Sequence, residues 1–510
     1  MIRTGDQYRE SIRGSREIYI NGDRVQDVTL HPQFRPLIDL RADLYDLQHQ
    51  GESAAILTFK EEGEDTAIAH KMPFSQADWW AKRRASDHLM NKAGGVLTRT
   101  GDDIVGELWS LYDAKEELSE IEPAFAVNIQ AHIEKAKRED SFLVSANADP
   151  KGDRMKVPQD QNPEMLLHVV KETDAGIVVR GAKFETAGAY ANRAVTKPTI
   201  ANWGREEKSE YAFGFICDLN AAGLKFICRS GFAGRASAED YPLANKFDEI
   251  DSLVVFDDVL IPWEDVLFYR STKAAKFIRA SLHRYTAFSF VQRILKYTDM
   301  MIGAALFNIR QTGLDRLQGV QEKLSTLACY RESINAHLTA AIALAEKSPA
   351  GLMMPNQSLL YAGRVTACSQ LPQMMHIARE LCGGQISVTP DAASFGNPET
   401  KPWLDKFYGV GGDWLVEDRR KLLAFARDLL NSEYAGHHLS FQTFSQSPSF
   451  AHLAALYRNF DWERPLAFVK DAANLSDKVE AQEVSAVGDS AISNWFSSNF
   501  DNLTPETAVG

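Results

Sequence analysis

The sequence predicts a mainly α chain with a β block in its middle, and three observations carry that reading. Apolar residues recur at three- and four-residue spacing up to about residue 140. Short β-branched and aromatic runs, punctuated by Gly, Asn, Asp and Pro, fill about 142–270. After about 272 the helical period returns in segments too long and too apolar for surface helices, which implies a bundle. The expected organisation is an N-terminal helical domain (1–140), a middle β domain (141–271) and a C-terminal helical bundle with an extended tail (272–510).

In the first domain Gln76–Leu97, Ile104–Tyr112 and Ile121–Ala136 carry the helical period, and Ser75 and Asp78 are placed as N-caps. In the second, GIVVRGAKF, YAFGFICDL, GLKFICRSGF and SLVVFDDVLIP read as strands, and AAG at 221–223 predicts a hairpin between two of them. In the third, Ala274–Gln311, Leu314–Glu346, Gln357–Cys382 and Trp414–Tyr434 read as helices, with Gly383-Gly384 capping the third. The last 60 residues are polar and Ser/Asn-rich, and are expected to be partly extended.

Composition narrows the function class. At 510 residues, 45% apolar and 25% charged, the chain is an ordinary globular protein rather than a disordered, collagen-like or coiled-coil one. Lys+Arg number 56 against Asp+Glu 69, and a net charge of −13 argues against a general nucleic-acid or anionic-membrane surface. No apolar run approaches the roughly 20 residues that span a bilayer. The first residues (MIRTGDQYRESIRGSREIY) lack the apolar core of a signal peptide, so the expected location is the cytoplasm. Five scattered cysteines fit neither a metal motif nor a disulfide framework, and no metal is expected.

Conventional catalytic motifs are absent: no H-E-x-x-H, no G-x-x-x-x-G-K-[ST], no G-x-S-x-G. Gly409-Val-Gly-Gly reads as a loop between helices, and a Rossmann dinucleotide site has no support. What remains are polar groups at the edges of apolar elements. Arg99, in GGVLTRTGDD, either clamps an anionic oxygen or ring or pairs on the surface with Asp102 or Asp103. Asp149-Pro-Lys-Gly-Asp-Arg154 is a turn whose cations either hold a phosphate or flavin or are merely solvated. His283, among apolar and aromatic residues early in a long helix, is either a core histidine or a titratable base facing a cavity. His437 and His438 are adjacent on a helix and point to different faces, so they do not make a metal pair.

The order of these segments is more specific than any one of them. RTGDQYRESI, REIYINGDRVQDVTLHPQFR, KETDAGIVVRGAKFETAG, FDDVLIPWEDV, GVQEKLSTLACYRESI, RELCGGQISVTP and EDRRKLLAFARDLLNSEYAGHH run through about nine tenths of the chain. Together they resemble the two-component flavin-dependent aromatic hydroxylases: the oxygenase component of 4-hydroxyphenylacetate 3-monooxygenase, and the chlorophenol and nitrophenol monooxygenases. The resemblance implies an acyl-CoA-dehydrogenase-like fold and a homotetramer. It implies a diffusible reduced FAD made by a separate NAD(P)H:flavin reductase, and a flavin C4a-hydroperoxide that passes oxygen to a phenolic or related aromatic ring. Loss of a ring substituent can accompany that transfer. Alternatives are oxygenation of a heteroaromatic ring or aromatic nitrogen, or a non-catalytic flavin-binding member.

By the same resemblance Arg99 and His283 are the catalytic pair, Arg99 anchoring the substrate and His283 acting as base or oxyanion partner. Asp103 and Ser145 fall at substrate-contacting positions where the family has Tyr and His, which implies a differently shaped or charged substrate. Lys151, Arg154 and Thr186 match flavin-contacting positions, Lys151 standing where the family has Gln, and Ser445, Gln446 and Ser447 form the late flavin loop. The related 4-hydroxybutyryl-CoA dehydratases need cluster thiolates at positions that are here Arg99, Asp103 and Phe290, so an iron–sulfur cluster is not expected.

Overall fold

The computed structural model describes residues 2–14, 16–94, 97, 102–153, 155–200, 202–444 and 449–475. It has the architecture expected: N-terminal helices, a middle pair of sheets and a C-terminal bundle, the acyl-CoA-dehydrogenase-like fold.

The N-terminal helices include Arg35–Leu47, Gln76–Ala93, Asp102–Asp113 and Phe125–Glu139. Gln76–Ala93 starts in a capping box: the Ser75 hydroxyl accepts from the Asp78 N–H, and Asp78 accepts from the Ser75 N–H at 2.9 Å. Strands also occur in this region. Glu17–Ile20 and Asp23–Val25 form a hairpin that joins the middle sheet, with Glu17–Ile20 running parallel to Leu224–Cys228.

The larger sheet has six strands in the order Asp23–Val25, Glu17–Ile20, Leu224–Cys228, Asp251–Pro262, Gly176–Thr186 and His168–Thr173. The smaller has four: Val266–Phe268, Gly214–Asp218, Arg193–Thr196 and Leu143–Ser145. The AAG segment therefore does not close a hairpin, because the strands on either side of it belong to different sheets. At Gly223, with φ +90°, a side chain would meet the Asp257 carbonyl oxygen at 2.5 Å. The glycine lets the chain lie against that strand, so that Leu224 pairs with Phe256 instead of folding back.

The bundle is built from Thr286–Thr312, Gln318–Ala343, Gln357–Cys382 and Val416–Leu430, and Gly383 caps the third. The expected helix Ala274–Gln311 is two helices, Thr272–Ser281 and Thr286–Thr312, separated by a turn that contains His283. Tyr285 pins that break. Its ring stacks on Trp79 and lies edge-on to Trp109, each about 6 Å away, and its hydroxyl donates to Asp113. Such pairs contribute about 0.5–1.5 kcal/mol each. The region expected to be extended contains two further helices, Ser449–Asn459 and Glu463–Ala472, the first packed on Gln357–Cys382.

Candidate active site

A cavity of about 2370 Å³ opens where the two sheets meet the first bundle helix. Ligand sites of drug size occupy roughly 300–1000 Å³, so this space admits a dinucleotide and a second small molecule together. Ser145, Lys151, Thr186 and His283 all line it. Asp103 does not; it is buried at the start of Asp102–Asp113. Arg99, Arg154, Ser445, Gln446 and Ser447 lie outside the described residues.

Strand geometry places the polar groups at the inner end. Leu143–Ser145 leaves the smaller sheet, and three residues later Ala148 bridges to Phe184 in the larger one. Ser145, Asn147 and Asp149 thus line the gap between sheets. Asp149 anchors this crossing. Its side chain accepts from the Thr199 N–H and hydroxyl, both at 2.7 Å, and from the buried Lys183 ammonium. Asp149 is therefore a structural tether of the turn that carries Lys151, and its carboxylate is fully engaged.

Glu107 and Lys197 are the residues that sequence reasoning missed. Glu107 is 1% exposed and lines the cavity one helical turn beyond Asp103. Ser145 Oγ donates to Glu107 Oε1 and Oε2 at 3.0 and 3.1 Å, and His283 Nδ1 lies 3.4 Å from Oε1. Two features hold the pair together. Trp109 and Tyr285, each two residues further along, pack at right angles. A side chain on Gly106 would meet the Thr286 backbone nitrogen at 3.0 Å, so glycine there lets Asp102–Asp113 approach the His283 turn.

His283 keeps a quarter of its side-chain surface open to the cavity, while its Nδ1 is sealed from solvent. Burial, then the cations Lys197 and Arg364 and the ring of His452, hold its pKa well below the ordinary 6.5, so the imidazole is neutral at physiological pH. Lys197 is buried and faces the same space. Burial brings its ammonium down to about 8, against the pull of Glu107, with Lys183 and Arg279 adding to the fall.

Thr186 stands at the end of Gly176–Thr186, in register with Asp251. Its hydroxyl donates to Asp251 Oδ1 at 2.6 Å, and the other carboxylate oxygen contacts Arg229 and His437, each at 2.8 Å. Burial would raise Asp251, but His437, Arg229 and Thr186 outweigh it and hold the carboxyl at about 2. His437 therefore points to the sheet, whereas His438 packs on the rings of Tyr297 and Tyr434.

The exposed lysines Lys151, Lys156, Lys208, Lys273 and Lys276 line the cavity toward solvent, beside Glu206 and Glu207. On a chain of net charge −13, this cation-rich rim attracts an anionic dinucleotide. The inner wall carries the buried rings of Phe290 and Tyr361, with the half-buried Phe441 beside them and Phe450 toward solvent. An anion-attracting rim, a long apolar wall and a small polar end fit a flavin dinucleotide with an aromatic ring beyond it.

The comparisons agree with that geometry. The 4-hydroxyphenylacetate 3-hydroxylase N-terminal family matches residues 4–268, and the corresponding C-terminal family matches 273–474. The chain is 30% identical over 449 residues to the oxygenase component of 4-nitrophenol 2-monooxygenase from a Rhodococcus species, covering 85% of this chain and 84% of that protein. It superposes with a TM-score of 0.85 on the oxygenase component of 4-hydroxyphenylacetate 3-monooxygenase complexed with FAD, at 27% identity, covering 92% of this chain and 99% of the other. A 4-hydroxybutyryl-CoA dehydratase from N. maritimus shares the fold, with a TM-score of 0.84, 22% identity and coverage of 94% and 96%. By sequence over nearly its whole described length, this chain belongs to the 4-hydroxyphenylacetate 3-hydroxylase family.

Proposed function

We propose that the chain is the oxygenase component of a two-component monooxygenase, an enzyme that uses reduced FAD and O2 to hydroxylate a phenolic or related aromatic compound. The carrying observation is the cavity itself: one continuous space with a cationic rim, aromatic walls and the Ser145–Glu107–His283 cluster at its inner end. Relatives named as oxygenase components, one with FAD bound, support the reading.

Reduced FAD supplies the two electrons that turn O2 into one transferred oxygen atom and water. The chain supplies the rest. Lys151 and Thr186 on the cavity wall, with Arg154 and Ser445, Gln446 and Ser447 in the roles the resemblance gives them, would hold the dinucleotide. Ser145 and His283 on the cavity wall, with Arg99 in the role the resemblance gives it, would contact the substrate ring. A neutral His283 accepts the proton of a ring hydroxyl, which makes the ring electron-rich and ready for an electrophilic oxygen. The apolar walls exclude water, which otherwise lets the two electrons pass to O2 with release of hydrogen peroxide in place of ring hydroxylation. Ser145 and Lys197 on the cavity wall favour a substrate other than 4-hydroxyphenylacetate.

A separate NAD(P)H:flavin reductase is the partner this chemistry requires, and the name "oxygenase component" of the relatives supports it. We extend the proposal to a cytoplasmic homotetramer. Phe307, Leu314, Leu317 and Leu344, together with Trp403 and Leu415, are exposed on the C-terminal half, the type of apolar surface that subunits cover. Among the described residues no helix is long and apolar enough to cross a membrane.

Rapid mixing tests the function. Protein holding stoichiometric reduced FAD, prepared without oxygen, is mixed with aerated buffer. The account expects a transient spectrum distinct from both reduced and oxidised flavin, and its faster decay with a hydroxylatable aromatic. Immediate oxidised flavin, as for free FAD, contradicts it.

A further inference from the structure

The inner end of the cavity holds a directional hydrogen-bond chain. The Lys197 N–H donates to Asn147 Oδ1 at 3.1 Å, and Asn147 Nδ2 donates to Ser145 Oγ. Ser145 in turn gives its own proton to Glu107, at 3.0 and 3.1 Å. Every hydrogen along this path points toward Glu107, which leaves its carboxylate as the terminal acceptor. The same Oε1 faces His283 Nδ1 at 3.4 Å. An unprotonated Nδ1 would set lone pair against lone pair, so the proton of a neutral His283 belongs on Nδ1. That nitrogen is buried and forms no hydrogen bond among the described residues, with Glu107 Oε1 the facing atom. Nε2 is then the lone-pair atom of a ring that lines the cavity and whose other nitrogen is buried.

We infer that Glu107 is a positioning residue that fixes His283 as its Nδ1–H tautomer and so makes Nε2 the acceptor for the substrate's ring-hydroxyl proton. The role in turnover rests on the function proposed above. In the step, the substrate O–H bond breaks, its electron pair stays on the ring oxygen, and an N–H bond forms at Nε2. The imidazolium that results faces Glu107, whose charge offsets it, as a buried carboxylate does for other catalytic histidines. Lys197, Arg364 and His452 face the same ring and oppose its protonation. Glu107 places Oε1 3.4 Å from Nδ1, while Ser145 and Asn147 orient its carboxyl group. The sequence hides this role, because a glutamate in an amphipathic helix normally reads as a solvated face.

The test reads the tautomer directly, without flavin or substrate. The full chain is prepared with isotope-labelled histidine, and the His283 ring signals are identified by their loss in His283→Ala. The expected wild-type spectrum shows a protonated Nδ1 and an unprotonated Nε2. In Glu107→Gln, whose amide N–H donates to Nδ1, the proton shifts to Nε2. With reduced FAD, O2 and a hydroxylatable aromatic, Glu107→Gln loses about 10²- to 10⁴-fold in hydroxylation rate, the range that general-base catalysis supplies. Its affinity for reduced FAD is unchanged, and Glu107→Asp recovers part of the rate. A wild-type Nε2–H tautomer, or a Glu107→Gln spectrum identical to wild type, overturns the inference. If the wild type hydroxylates no aromatic at all, the proposed function and the catalytic use of Nε2 fall, while the spectrum still decides whether Glu107 sets the tautomer.

Discussion

Gly106 and Thr286 meet so closely that a methyl group on the glycine would come within 3.0 Å of the threonine's backbone nitrogen and of its Cγ2. This approach brings Asp102–Asp113, and with it Glu107, against the turn that carries His283. Substituting Gly106→Ala forces helix and turn apart, because a backbone atom cannot rotate away as a side chain can. The expected cost is about 1–3 kcal/mol in denaturant-unfolding stability. Hydroxylation falls while affinity for reduced FAD stays near wild type, since Gly106 itself does not line the cavity.

Ser145→Ala removes the donor to Glu107 and leaves Asn147 Nδ2 without its acceptor. The expected result is a loss of about 1–3 kcal/mol in stability. A larger share of consumed O2 is released as hydrogen peroxide, because Glu107 and the substrate are held less firmly. Quantifying product and peroxide per reduced FAD consumed checks this; an unchanged ratio contradicts the role of Ser145.

Lys197 titrates at about 8 in the folded protein, lowered from 10.5 first by burial. Its charge is therefore present below pH 8 and lost above it. Loss of that cation removes one of the groups that hold His283 neutral. Lys197→Met removes that cation at every pH, and the effect is read in the pH profile of kcat/KM. The same variant moves the acid limb of His283 upward, toward its ordinary 6.5. Profiles that coincide for the two proteins contradict the coupling.

Asp251 sits at about 2 when folded, against 3.8 for a free carboxyl. A depressed folded value contributes stability that is full above the unfolded pKa and is lost as pH falls through 3.8 toward 2. The side chain is one-third exposed, so solvent screening trims the contribution. Between neutrality and pH 3 the stability gap between wild type and Asp251→Asn narrows by about 1 kcal/mol. Urea unfolding at several pH values measures it; a gap that is constant with pH contradicts the network around Thr186.

Much of this molecule was legible before any coordinates. Gln357–Cys382 follows from apolar periodicity and its Gly383 cap, and the strand Gly176–Thr186 from its β-branched run. The family was legible in segments such as KETDAGIVVRGAKFETAG and RELCGGQISVTP. The break at His283 was not, because Leu282 and Tyr285 continue the helical apolar pattern and the turn is set by the distant rings of Trp79 and Trp109. The AAG segment was read as a hairpin because a tight turn looks the same whether or not its flanking strands pair. The outcome there depends on Leu224 meeting Phe256, a contact no local window contains. Glu107 and Lys197 are not legible because a lone Glu or Lys belongs to no catalytic motif, and only tertiary packing brings Glu107 to Ser145 and His283 and buries Lys197 beside the same space.

The central claim is that this chain places one oxygen atom from O2 on an aromatic ring at the expense of reduced FAD. Its most direct measurement supplies isotopically labelled O2 and reduced FAD to the purified protein with a panel of phenols, nitrophenols and heteroaromatics, followed by mass spectrometry of the products. The account predicts a product that carries a single labelled oxygen, formed in proportion to reduced FAD consumed and lost in His283→Ala. Complete recovery of the electrons as hydrogen peroxide, with every aromatic returned unlabelled, would contradict it.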